Sequence, residues 1–156
     1  EKRLTNLVEN FTMFYKIQTE KIAVFKKEAL SALDQKKYKE ALGQLHLALD
    51  VHPQSIEINS LLGQTYASRK EWPLALEAYN RALDAEPGLK TELDLRYKAG
   101  MCFFYLRHWV KAKEYMEKYQ TLSSGKGPHS KSAQTTLELI ADEIKKSAPN
   151  GNSPNN

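Results

Sequence analysis

Tyr38, Ala41, Ala48 and Pro53 recur 34 residues later as Trp72, Ala75, Ala82 and Pro87, and Gly63, Trp72 and Ala75 recur 37 residues later as Gly100, Trp109 and Ala112. A fixed period of this length marks a stacked array of helix hairpins, because one such unit is too small to bury its own apolar face and must pack on the next. The repeat therefore sets the fold class as all-α before any local propensity is consulted. Arrays of this kind present a concave surface to another protein, and nothing in them requires a reaction.

Each unit needs small residues where two helices cross closely and large ones where they interlock. In the middle copy Leu62, Gly63 and Tyr66 mark the first helix, Ala75, Tyr79 and Ala82 the second, and Pro87 the turn that ends it. These residues resemble the tetratricopeptide repeat, a 34-residue helix–turn–helix motif, over residues 22 to 122. The resemblance implies a right-handed α-solenoid of three hairpins, with repeats at about 22–55, 56–89 and 93–122. The outer copies depart from the pattern. Phe25, Glu28, Ala29 and Ala32 stand at the signature positions of the first, whereas Arg96, Ala99 and Gly100 stand at those of the third, which lacks the terminal proline. End repeats have one neighbour instead of two, so departures there are expected.

Local signals agree with the period. Ser55 after Pro53 is a good N-cap, Pro73 suits the first position of a helix, and Thr91 with Asp94 reads as a variant capping box. Lys90, Thr91 and Glu92 would then start the third copy's first helix almost one turn early, absorbing its three extra residues.

Three repeats are about the minimum for a self-supporting stack, so the flanks must contribute. After the loop Ser123 to Ser130, an apolar stripe of Ala133, Leu137, Ile140, Ala141, Ile144 and Ala148 predicts a capping helix over 131–148. At the other end Leu4, Leu7, Val8, Phe11, Phe14, Tyr15 and Ile22 recur every three or four residues, predicting an amphipathic helix over 1–21. Either this helix runs unbroken into the first repeat or Thr19 caps a break. Its stripe calls for cover, by folding back on the repeats, by lying in their groove, or by pairing with another chain as a short coiled coil in a homodimer. Residues 149–156 are Asn, Pro, Ser and Gly and predict a disordered tail or linker. The start at Glu1 instead of Met is expected of a fragment that a signal or anchor could have preceded, so the domain could equally regulate or anchor a larger protein.

Chemistry is sparse. His46, His52, His108 and His129 lack partners at metal-ligand spacing, no Gly-x-Ser-x-Gly elbow is present, and Ser124-Gly125-Lys126-Gly127 lacks the first glycine and the Ser/Thr of a phosphate loop. No metal, no cofactor and no catalytic residue is expected. The single Cys102 can form no intramolecular disulfide and leaves the compartment open, a cytoplasmic one being preferred. Asn10-Phe11-Thr12 matches a glycosylation sequon but falls in a helix. The net charge of +4 is spread among interleaved acids, as in Lys36-Lys37-Tyr38-Lys39-Glu40, which reads as solvated surface and not as a nucleic-acid stripe. No apolar run is long enough to insert in a membrane.

The resemblance implies a concave surface lined by the first helix of each hairpin at repeat positions 2, 5, 6, 9, 12 and 13. These are Ala23, Lys26, Lys27, Leu30, Leu33 and Asp34 in the first copy. They are Glu57, Ser60, Leu61, Gln64, Ala67 and Ser68 in the second, and Asp94, Tyr97, Lys98, Met101, Phe104 and Tyr105 in the third. The groove candidates are Lys26, Lys27, Leu30, Leu33, Gln64, Tyr97, Lys98, Met101, Phe104 and Tyr105. Tyr97, Met101, Phe104 and Tyr105 form an apolar shelf for a partner's helix or extended peptide, and the three lysines draw in its acidic residues. The N-terminal aromatics are the natural alternative cover for that shelf. Family members that grip chaperone tails ending in Glu-Glu-Val-Asp use two Lys, two Asn and an Arg. Here those positions hold Lys26, Leu30, Leu61, Asp94 and Lys98, and Asp94 would repel the carboxylate it should bind. The expected function is a non-catalytic scaffold or adaptor for a protein or peptide partner, though not for such tails.

Overall fold

The computed structural model describes residues 1–147, which form seven helices and no strand. They are α1 (Lys2–Asp34), α2 (Tyr38–Val51), α3 (Ile56–Ser68), α4 (Trp72–Asp84), α5 (Leu89–Tyr105), α6 (Trp109–Ser123) and α7 (Ser130–Ser147). Consecutive helices pack antiparallel as three hairpins, α1–α2, α3–α4 and α5–α6, stacked into a right-handed solenoid with α7 laid on the last. The core runs as a line of clusters through the stack. Ala29, Leu45, Ala48, Ile58, Leu62 and Ala78 join the first two hairpins, and Ala75, Tyr79, Ala82, Leu95, Ala99 and Cys102 join the second and third.

Small residues allow the close crossings. A methyl group on Gly63 would lie 2.5 Å from two ring carbons of Tyr79, which is itself 2% exposed. α3 and α4 can approach this far only because position 63 has no side chain. Buried Asn59 then ties the hairpin to the preceding turn: its amide donates to the carbonyls of Pro53 (3.0 Å) and Ser55 (2.9 Å) and accepts from Arg81 Nε (3.0 Å). Ser55 caps α3 by accepting from the Ile58 N–H at 3.3 Å, and Pro73 sits in the first turn of α4, where its missing N–H costs nothing.

The first helix of every hairpin ends in the same way. Lys36, Lys70 and Arg107 occupy the left-handed region at φ 58°, 60° and 58°. The next residues, Lys37, Glu71 and His108, donate back to the carbonyls of Ala32 (2.8 Å), Tyr66 (3.0 Å) and Phe103 (2.9 Å). This is the Schellman pattern, with a basic residue where glycine is cheaper by about 1 kcal/mol.

Two local readings need correction, and one open alternative is decided. α5 starts at Leu89 after Gly88, so Thr91 lies inside the first turn, its N–H donating to the Gly88 carbonyl, and caps nothing. The longer insertion simply extends α5 at its N-terminal end. In α7 the buried line is Ala133, Thr136 and Ile140, while Ala141 is exposed. Thr136 hides its hydroxyl by donating to the Ser132 carbonyl at 2.9 Å. Ala148, expected on the same stripe, and the expected tail 149–156 lie outside the described residues. At the other end, α1 is a single helix of 33 residues. Thr19 does not break it; its hydroxyl donates to the Tyr15 carbonyl at 2.8 Å. α1 packs on α2 from Ile22 onward, and residues before it project without folding back or entering the groove.

Candidate partner-binding groove

The groove face is built from α1, α3 and α5, and its charges are largely spoken for within the chain. Lys26 reaches across from α1 to Glu57 on α3 at 2.7 Å, and Lys98 pairs with Asp94 one turn away at 2.7 Å. Only Lys27, among the three lysines expected to attract acidic ligands, stands exposed with no ion pair among the described residues. Both lysine pairs are partly exposed, so each contributes little to stability; their effect is to lower the positive field over the groove. Leu30 and Gln64 are exposed and Leu33 is half-buried, giving a shallow, mixed surface over the first two hairpins.

The aromatic shelf is divided. Tyr97 and Met101 turn toward α7 and pack with Met116, Tyr119, Ala133 and Leu137. The Tyr97 hydroxyl lies 2.6 Å from Ser132 Oγ, and its ring stacks on His129 at 4.2 Å between centroids. The Thr136 hydroxyl meets Met101 Sδ at 3.9 Å. The shelf's inner half is thus covered by the C-terminal helix, and the N-terminal aromatics cover none of it. The outer half stays open. Tyr105, 52% exposed, stacks on Trp72 at 4.4 Å and 17°, and Phe104 meets Trp109 edge to face at 5.5 Å. Across from them Leu139 of α7 is 50% exposed, and Phe104, Tyr105, Trp109 and Leu139 line a cleft of about 440 Å³. Arg107, Asp142, Glu143 and Lys146 rim it with both signs of charge. An apolar floor with a mixed charged rim fits a peptide or helix carrying an apolar anchor.

Trp72, Trp109 and Leu139 are the residues that sequence reasoning missed here. The tryptophans read as repeat framework, which they also are. Leu139 lay off the predicted apolar stripe of its helix, and a large hydrophobe out of phase was the available signal.

The buried thiol and phenol of the interior are held in their protonated forms. Burial pushes the Cys102 thiol up to about 12, and burial together with the Cys102 and Asp94 charges raises the Tyr79 phenol. Both stay neutral and packed at ordinary pH. Among the described residues no three His, Cys, Asp or Glu side chains converge as a metal site, and no helix is long and apolar enough to cross a membrane.

Comparison with known proteins agrees with this architecture. Residues 26–89 match the family model for the tetratricopeptide repeat. No curated protein matches the chain in sequence. Among solved structures, the MamA protein superposes with a TM-score of 0.72 at 17% identity over 81% of this chain, which spans 65% of that one. The first TPR of Spaghetti (RPAP3), bound to HSP90 peptide SRMEEVD, gives 0.69 at 20% identity over 81% of this chain and 94% of that one. The Yersinia enterocolitica type III secretion chaperone SycD, in complex with a peptide of the translocator YopD, gives 0.70 at 18% over 81% and 95%. Identities this low carry the fold alone. The family match spans the first two hairpins, which are similar to the tetratricopeptide repeat in sequence, and the third hairpin continues the same fold.

Proposed function

We infer that this chain is a non-catalytic interaction module that recruits a peptide or helix of another protein on the groove face, anchored at the open end formed by Tyr105, Phe104, Trp109 and Leu139. The observation that carries the reading is that end itself: Tyr105 and the facing Leu139, each about half exposed, with the Tyr105 ring stacked on partly buried Trp72, beside a helix array whose remaining apolar residues of α3 to α6 are mostly packed. Two of the solved structures of similar fold hold a peptide, which supports peptide recruitment as a use of this architecture. Their ligands do not transfer. The groove here lacks the asparagines of a carboxylate clamp, Lys26 and Lys98 are already paired, and Asp94 stands at a position that the clamp fills with a cation.

Selection of binding peptides from a displayed random library, using the intact chain as bait, tests this reading. The enriched peptides should carry a large apolar residue and lose at least tenfold in affinity when Tyr105→Ala and Leu139→Ser are introduced together, consistent with a hot spot of about 1.4 kcal/mol or more. Enriched peptides that bind this variant unchanged would move the site elsewhere. A second reading, in which the domain regulates or anchors a larger protein, uses the same groove and differs only in what the partner is joined to.

A further inference from the structure

The side chains of α1 from Lys2 to Ile17 are all exposed, including Leu4 at 70% and Tyr15 at 67%. They form one face. Leu4, Val8, Phe11 and Tyr15 continue, in alternating steps of four and three, the line along which Ile22, Phe25 and Ala29 pack on α2. Leu7 and Phe14 widen that face on one side, and Thr5, Thr12 and Thr19 edge it on the other at a spacing of seven. This is the heptad rhythm of a helix that packs on another helix, and over residues 2–21 it runs for about 30 Å with no other described element packed along it.

We propose that this segment pairs with the same segment of a second copy of the chain, antiparallel, as a short two-helix coiled coil. The face is large at its C-terminal end (Phe11, Phe14, Tyr15) and small at its N-terminal end (Leu4, Leu7, Val8). Antiparallel pairing about a two-fold axis between Glu9 and Asn10 sets Leu4 against Tyr15 and Val8 against Phe11, so every layer joins an aliphatic to an aromatic side chain. Parallel pairing would stack large on large and small on small, leaving gaps at one end and crowding at the other. Length fits as well. In this register the partner's first residue lies level with Gln18, one turn short of Ile22, where α2 begins to occupy the face, so neither copy's end runs into the other's hairpins. The area suffices: with aromatic side chains of roughly 150–250 Å² each, the two stripes together hide on the order of 1,200 Å², about the lower bound of a specific interface. The pairing leaves the groove face of both copies free and does not depend on what the groove binds.

Sedimentation equilibrium of the full chain over a wide concentration range reads the result directly. The expected mass rises from 17.8 kDa to twice that value as concentration increases, and Phe11→Glu returns it to 17.8 kDa at every concentration with an unchanged far-ultraviolet circular dichroism spectrum. Orientation is read by mixing chains carrying Thr5→Cys with chains carrying Thr12→Cys under mild oxidation. Antiparallel pairing brings like edges together and joins the two kinds of chain, whereas a dimer that forms no mixed disulfide would overturn the orientation. A mass of 17.8 kDa throughout would overturn the proposal, whether the stripe is then found bound to vesicles, to a foreign helix or to the chain's own repeats. So would a dimer that Phe11→Glu leaves intact.

Discussion

Three glycines in helices of this array should respond to the same substitution in three different ways, and the differences can be worked from the space around each. Ala in place of Gly inside a helix gains about 0.5–1 kcal/mol from backbone entropy when nothing else changes. At Gly43, on the exposed side of α2, a methyl group meets nothing within 4 Å, so Gly43→Ala should realise that gain. At Gly100 the methyl would lie 2.9 Å from Met116 Cε and 3.2 Å from Tyr115 Cβ. The end of a methionine can swing aside and the tyrosine must give by a few tenths of an ångström, so loss and gain should nearly cancel, leaving Gly100→Ala within about 0.5 kcal/mol of the parent. At Gly63 the methyl meets a stiff, buried ring at 2.5 Å, and α3 and α4 must part. Overpacking of this kind costs about 1–3 kcal/mol, which outweighs the backbone gain and leaves Gly63→Ala destabilised by about 1–2 kcal/mol. In a domain of this size each kcal/mol moves the melting temperature by about 2–4 °C. Equilibrium urea unfolding followed by circular dichroism resolves all three, and adding Tyr79→Leu should recover most of the Gly63→Ala loss. A Gly63→Ala variant as stable as Gly43→Ala would refute the close crossing.

Further expectations follow from other parts of the structure. Cys102 and Tyr79 are acids whose folded values are raised above their ordinary 9.0 and 10.0, so the folded chain holds protons that the unfolded chain releases at alkaline pH. Their contribution to stability is complete below about pH 9 and is lost as pH rises toward 12; Cys102→Ala should flatten the first part of that fall in urea titrations run at successive pH values. Native Cys102 should react with a thiol reagent only as fast as the chain opens, and rapid reaction would contradict its burial. Lys70→Gly relieves a left-handed, non-glycine residue and should raise stability by a few tenths of a kcal/mol to about 1 kcal/mol, net of the added freedom of the unfolded chain, measured by the same unfolding curves. A peptide ending in Glu-Glu-Val-Asp should show no saturable binding by calorimetry, and micromolar binding would contradict the groove electrostatics.

What was legible in the sequence was whatever depends on the spacing of residues within one hairpin. Gly63 and Tyr79, or Ser55 and its cap, announce themselves because the period places them and local physics explains them. The parts that were not legible depend on distances between elements. Lys26 and Glu57 stand 31 positions apart and meet only once α1 and α3 are side by side. Tyr97 and Met101 have the spacing of an open shelf, yet the angle at which α7 crosses decides that they are covered while Phe104 and Tyr105 are not. In α7 itself, Thr136 takes the buried line because its hydroxyl bonds its own backbone, while Ala141 turns outward. Hydrophobicity scores, which rank alanine as core and threonine as surface, point the other way at both positions. Along α1 the apolar stripe was plain, but a stripe reports that a face wants cover, not where the cover comes from.

Amide chemical-shift mapping of the intact chain, titrated with a peptide selected against it, tests the central claim most directly. Recruitment on the groove face predicts shifts concentrated at the C-terminal end of α5, the start of α6 and around Leu139, with α2 and residues 2–21 of α1 silent. Shifts centred on α2 and α4, or on α1 before Ile22, would place recognition outside the groove and contradict it.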